Sequence, residues 1–139
     1  MTEEELKGLK NKAKELNLCG WNLLEDRETC LKECNGMGAD WMPENFRYFL
    51  TSILKVFAPA TAIHDMRYFH NQGDRNTWDD EFYFNCRHLA RDKYGKYNPM
   101  RYICYGVARR LRIALTVGGT IAWKNAGKRS KKEGEYDNV

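Results

Sequence analysis

The sequence lacks the marks of a secreted, disulfide-stapled protein. Its five cysteines are an odd number without regular spacing, which favours free thiols in a reducing compartment, although Cys30 and Cys34 could each pair with another cysteine. The N-terminal segment MTEEELKGLK is acidic and amphipathic, unlike a signal peptide. These absences favour an intracellular protein over a secreted one.

Long apolar runs, internal repeats and strand-like alternation are missing as well. The longest weakly polar run, residues 113 to 123, is too short to span a bilayer. No segment keeps a period of two for long enough to predict a strand. A chain of 139 residues that is 42% hydrophobic suits one core. We therefore expect an all-α single domain over residues 1–126, followed by a disordered charged tail over residues 127–139.

Caps, prolines and glycines divide the chain into five predicted helices. The predicted boundaries are Thr2 for the first helix, Pro43 to Phe57, Pro59 to Gly73, Thr77 to Gly95, and Asn98-Pro99 for the last helix. Thr2 and Thr77 each open a capping box, because a glutamate or aspartate follows three residues later. The pair Gly118-Gly119 is expected to bend or break the last helix.

The charge balance is mild, at +4 overall. A balance of this size does not argue for nucleic acid, and it would also suit an anionic lipid surface. A nucleic-acid site would have to use Arg109, Arg110 and Arg112, but no recognition motif accompanies them. These arginines are more typical of a solvated helix face, or of contact with lipid headgroups, because the apolar stretch IALTV follows. We expect no nucleic-acid partner.

The segment from residue 62 to residue 82, AIHDMRYFHNQGDRNTWDDEF, carries the candidate chemistry. His64 lies about six residues before a polar turn, and a second carboxylate lies about four or five residues beyond it. At about 1.5 Å per residue, two antiparallel helices would place these groups at similar depth. The carboxylate that meets His64 is therefore Asp79 or Asp80.

Helical periodicity chooses between the two carboxylates. Asp79 shares a stripe with Phe82 and Cys86, whereas Asp80 shares its face with arginines and points toward water. An inward carboxylate requires a hydrogen-bonded partner, because burying it alone costs several kcal/mol. His64 is the partner we expect for Asp79, and Tyr68, one turn after His64, can place its hydroxyl on the same carboxylate.

These pieces resemble the phospholipase A2 superfamily, most closely its compact viral and phage-type members and the phospholipase domain of parvovirus capsids. The similar motifs are the loop CNGMGADWMP, then HDMRY on a helix, the turn QGDRN, and WDDEF on a second helix. They cover residues 34–90, about half of the chain. Trp78 stands where a small residue is usual, the loop lies farther before the histidine than in secreted members, and their dense disulfide set is absent. The last departure implies a cytoplasmic or virion-associated form.

The resemblance implies calcium-dependent hydrolysis of the sn-2 ester of glycerophospholipids at a membrane surface. His64 would be the general base, Asp79 would orient it, and Tyr68 would support the carboxylate. The implied Ca²⁺ ligands, which match the ion's preference for oxygen, are the carboxylate of Asp65 and loop carbonyls near Cys34, Gly36 and Gly38. The N–H of Gly36 would stabilise the oxyanion. Asp40 is either a further ligand or an ordinary turn residue.

Other functions fit the residues less well. An HD-type phosphohydrolase needs a metal-binding histidine before the His-Asp pair, but His70 and His88 both follow it. A zinc site is disfavoured because Cys30 and Cys34 lack a second pair at finger spacing. The main rival is a catalytically inactive phospholipase-like module that binds lipid or protein.

Overall fold

A computed structural model describes residues 1–34 and 44–137; of residues 45, 46 and 130–137 it describes the backbone. Within this part of the chain the predicted all-α single domain is confirmed. The α-helices are α1 (Glu3–Glu15), α2 (Arg27–Glu33), α3 (Glu44–Val56), α4 (Ala58–His70), α5 (Arg75–Lys93) and α6 (Pro99–Asp137). A short 3₁₀ helix, Trp21–Glu25, precedes α2.

The helix caps follow the sequence at α1 but not at α5. Thr2 and Glu5 form the predicted reciprocal capping box, with hydrogen bonds of 3.2 Å and 2.7 Å. The predicted cap at Thr77 is wrong, because Asp74, three residues earlier, caps α5 by accepting from Asn76 N–H. An aspartate carboxylate is the stronger cap at this position, and it also accepts from the hydroxyl of Thr77 at 3.4 Å.

Helix α4 lies at the centre of the fold and contacts every other α-helix. Small side chains in its first turns allow the neighbouring helices to approach closely, and most of the helix is buried. The largest buried apolar side chains around it are Phe57, Phe82, Leu18, Leu24, Ile53, Ile63 and Met66. Because α4 carries His64, the histidine is held by the core itself rather than by a loop.

The turn between α4 and α5 is shaped by two left-handed residues. Asn71 ends α4 with φ of 50°, and Gly73 follows with φ of 75°. Such values favour asparagine and glycine, because side chains branched near the backbone clash there. The turn brings the second predicted site helix directly back against the first.

Of the two predicted effects of the glycine pair, a bend or a break, the break is excluded, because α6 continues from Pro99 to Asp137. Gly119 is buried against the site helices instead. A Cβ atom at residue 119 would lie 2.7 Å from the Tyr68 hydroxyl and 3.0 Å from Arg75 Nη1. Packing against α4 and α5 thus outweighs the helix-weakening tendency of glycine, which is about 1 kcal/mol per residue.

The predicted disordered tail from residue 127 is also corrected, because α6 extends through it to Asp137. Ala126 is buried. Arg129 lies 3.3 Å from a carboxylate oxygen of Glu33 and its guanidinium lies over the ring of Phe69. These contacts give the start of the charged segment a surface to fold against, which composition alone does not reveal.

Candidate active site

The central contact of the site joins α4 to α5. His64 Nε2 lies 2.7 Å from Asp79 Oδ1, so the contact predicted across the turn is confirmed. Asp79 is fully buried, at 0% exposure, whereas the side chain of Asp80 is 58% exposed. The choice of Asp79 over Asp80 as the inward carboxylate is therefore confirmed as well.

Aromatic groups hold both members of this pair. The Tyr68 hydroxyl donates to Asp79 Oδ1 at 2.8 Å, as predicted. The imidazole of His64 lies between the rings of Tyr68 and Phe82, with centroid distances of 4.4 Å and 5.1 Å. Burial, and then the hydrogen bond to Asp79, raise the pKa of the Tyr68 phenol. Tyr68 therefore stays protonated and serves as a donor at neutral pH.

The charge of Asp79 is retained despite its burial. Burial alone would raise the pKa of Asp79, but the hydrogen bonds from His64 and Tyr68 and the positive charge of Arg112 outweigh it, so that the pKa is lowered. An ionised Asp79 accepts hydrogen bonds only, which places a proton on His64 Nε2. Nδ1 is then the ring nitrogen that can accept a proton from elsewhere.

Two arginines near Asp79 were not among the predicted site residues. Arg75 Nη1 lies 3.6 Å and Arg112 Nη1 lies 3.8 Å from Asp79 Oδ2. Oδ2 itself has no hydrogen-bond partner among the described residues, so these cations act on it through charge rather than through direct bonding. Arg75 could have been found from its i, i+4 spacing to Asp79. Arg112 gave no such signal, since only tertiary packing brings α6 to the site.

Helix α6 covers the site with more than Arg112. Arg75 donates to the carbonyl of Leu115 at 2.9 Å, and Trp123 packs edge-on against Tyr68 at 5.3 Å. Between these contacts Gly119 leaves room for the Tyr68 hydroxyl. The segment of α6 around Gly119 therefore seals the carboxylate side of the site.

The tryptophan at position 78 is accommodated on the turn. Its indole N–H donates to the carbonyl of Gln72 at 2.6 Å, and Arg67 lies 4.0 Å above the ring. Arg67 is fixed by two hydrogen bonds of 3.0 Å to the carboxylate of Glu81. The large residue thus covers the turn and braces α4 against α5.

A cavity of about 570 Å³ lies on another side of α4. Its walls come from α1, α3 and α4 and are largely apolar or small, and they include Leu9, Leu54, Ala58, Thr61 and Ala62. Asp65, the residue after His64, also lines the cavity. The size lies within the range of small-molecule sites, which is about 300–1,000 Å³.

Only some of the predicted calcium ligands lie among the described residues. Gly36, Gly38 and Asp40 lie outside the described residues. Cys34 lines the same cavity as Asp65, and its sulfur lies 3.6 Å from the carbonyl oxygen of Ala62. Burial, followed by nearby negative charge, raises the pKa of the Cys34 thiol, so its sulfur is a neutral group facing the protein.

The donor set of the described residues is compatible with Ca²⁺ but does not complete a site. Asp65 offers a hard carboxylate, and the chain leaves α2 at Cys34, beside it. No group of three histidine, cysteine, aspartate or glutamate side chains arranged to hold a metal occurs in residues 1–34 and 44–137. A calcium site here would depend on oxygens from the segment after Cys34, as the family resemblance implies.

Cysteine pairing and membrane spanning were also predicted from the sequence. All five cysteines are free thiols in the structure. None of the helices described combines the length and apolar character required to cross a bilayer.

No family model, curated protein or solved structure matches the chain.

Proposed function

We propose that this protein is a calcium-dependent phospholipase A2 that hydrolyses the sn-2 ester of glycerophospholipids. The observation that carries the proposal is the buried, ionised Asp79, which fixes His64 Nε2 at 2.7 Å and receives Tyr68 at 2.8 Å. Burying a carboxylate away from water costs free energy. A buried carboxylate whose partner is an imidazole is typical of a general-base site.

In the proposed reaction His64 acts through Nδ1. Nδ1 takes a proton from water as the water oxygen attacks the ester carbonyl, and the imidazolium then returns the proton to the departing lysolipid oxygen. Asp79 stabilises the positive charge that forms on the ring, and its hydrogen bond keeps the proton on Nε2. Tyr68 and Phe82 keep the ring from rotating away from the carboxylate.

The cavity along α1, α3 and α4 would receive an acyl chain. Its apolar walls, including Leu9 and Leu54, offer the burial that a hydrocarbon chain gains on leaving water. Asp65 places a carboxylate on the wall of this cavity, next along the chain from the base. Lipid would thus meet apolar walls and charged side chains, Asp65 among them, in the same cavity.

Calcium would be held by Asp65, by the backbone carbonyl of Cys34 and by the segment that includes Gly36 and Gly38. When bound, the ion would supply positive charge for the lipid phosphate and for the oxyanion at the cleaved ester. The N–H of Gly36 is the proposed additional oxyanion donor.

The decisive experiment replaces the base. His64→Gln keeps the side-chain volume similar and should reduce fatty-acid release from mixed micelles by about two to four powers of ten, as for loss of a general base. His88→Gln, on α5 and away from Asp79, is the matched control and should retain activity. A His64→Gln protein within about threefold of the wild type would contradict the mechanism. A wild type that binds lipid but releases no fatty acid would identify the protein as an inactive lipid-binding module.

A further inference from the structure

Helix α6 exposes a row of aliphatic side chains that the fold does not use. Ile113, Val117 and Ile121 are 57%, 81% and 70% exposed. Their spacing of four residues places them along one side of the helix. Single exposed apolar residues are common on proteins, but a contiguous row marks a surface that meets another apolar phase.

Basic side chains stand at both ends of this row. Arg109 and Arg110 precede it by one turn, and Lys124 follows it by one turn; all three are exposed. From Pro99 to Lys132 the sequence contains no aspartate or glutamate. Arg112 lies apart from this surface, because it turns toward Asp80 and Asp79.

We propose that this surface, the α6 face (Arg109, Arg110, Ile113, Val117, Ile121 and Lys124), docks on an anionic phospholipid bilayer. The helix would lie along the interface with its aliphatic row among the acyl chains near the headgroups and its cations on the lipid phosphates. The proposal rests on the proposed function for its purpose, since a lipid hydrolase has to reach its substrate in a membrane. The α6 face is separate from the cavity proposed to receive the acyl chain, whose walls come from α1, α3 and α4.

Two other partners for the α6 face, a second copy of this chain and a nucleic acid, fit it less well. In a symmetric pairing of two copies, the cations at either end of the row would meet cations of the second copy, which costs free energy. Nucleic acid would match the charge, but single-stranded bases gain affinity by stacking on aromatic rings, and the row is aliphatic. An anionic bilayer matches both the charge and the apolar row.

The test is binding to vesicles of phosphatidylcholine with and without phosphatidylserine, measured by co-sedimentation. All proteins carry His64→Gln, so that hydrolysis does not change the vesicles. Arg109→Gln/Arg110→Gln should lower the partition coefficient on phosphatidylserine vesicles about thirtyfold, because each basic side chain contributes about 1 kcal/mol. Val117→Ser should lower it by up to about tenfold, from lost apolar burial.

The matched control is Arg91→Gln/Lys93→Gln, which removes two exposed charges from α5 and should change partitioning by less than about threefold. An equal loss in this control would show that only net charge matters and would overturn the proposal. So would equal binding to both vesicle types, or a dimer in solution that Val117→Ser dissociates. Loss of docking alone, while protein that retains His64 still hydrolyses dispersed short-chain lipid, would leave the proposed function standing. Docking by the His64→Gln protein, together with no hydrolysis by protein that retains His64, would remove only the proposed function.

Discussion

Two sides of helix α4 have opposite characters. The side that carries His64 and Tyr68 is closed by α5 and α6 and is filled with short hydrogen bonds around a buried charge. The side that carries Thr61, Ala62 and Asp65 borders an open, largely apolar cavity. One side of the helix fixes the orientation of His64, and in the proposed function the other side receives the acyl chain.

The largest expected difference between these sides lies in the effect of a single carboxylate. Asp79→Asn keeps the shape but removes the charge that stabilises the imidazolium, and we expect hydrolysis to fall by at least about tenfold, equal to 1.4 kcal/mol in the barrier. Asp80→Asn is the matched control, because the two residues are adjacent and only Asp79 contacts His64. Initial rates of fatty-acid release compare them. An inactive Asp80→Asn protein together with an active Asp79→Asn protein would mean that Asp80, and not Asp79, supports His64.

On the cavity side, Asp65→Asn should abolish the rise in melting temperature that calcium causes. The wild type should melt higher in millimolar Ca²⁺ by mass action on the folded state, and Asp65→Asn should not. Thermal shift measurements with calcium, with magnesium and with EGTA separate specific binding from ionic effects. No shift in the wild type, together with hydrolysis that EGTA leaves unchanged, would remove calcium from the proposal.

The stability that the closed side contributes should also depend on pH. The pKa of Asp79 is lowered in the folded protein, so its contribution to stability is complete above its unfolded value, about 3.9. The contribution is lost as the pH falls through the lowered folded pKa. Urea unfolding of the wild type and Asp79→Asn from pH 6 downward should show a steeper loss in the wild type. Parallel pH profiles would mean that Asp79 is not stabilised as a carboxylate.

The last prediction concerns the stability of the cover over the closed side. Gly119→Ala adds a methyl group 2.7 Å from the Tyr68 hydroxyl, and we expect about 1–3 kcal/mol of destabilisation, as for overpacking. Gly118→Ala is the control, since a Cβ there meets nothing within 4 Å and should stabilise the helix slightly. Urea midpoints of the two variants provide the measurement. Equal urea midpoints would mean that α6 does not pack closely against Tyr68.

The sequence was sufficient for the parts of the site that lie close together along the chain. Helical spacing predicted that Asp79 faces inward and Asp80 faces water, and the four-residue turn kept His64 within reach. The roles of Arg112 and Gly119 were not predictable, because α6 reaches the site only through packing of the whole domain. Helix propensity predicts a bend or a break at the glycine pair because it describes an isolated helix, whereas the close approach of α6 to Tyr68 and Arg75 requires Gly119.

The complete burial of Asp79 beneath α6 has a consequence for ionic strength. Dissolved ions screen charges that face solvent over about 8–10 Å, but they screen a buried pair much less. The attraction between Asp79 and the imidazolium should therefore persist in high salt. The exposed cations of α6 have no such protection, so salt should release the protein from an anionic surface before it weakens the His64–Asp79 pair.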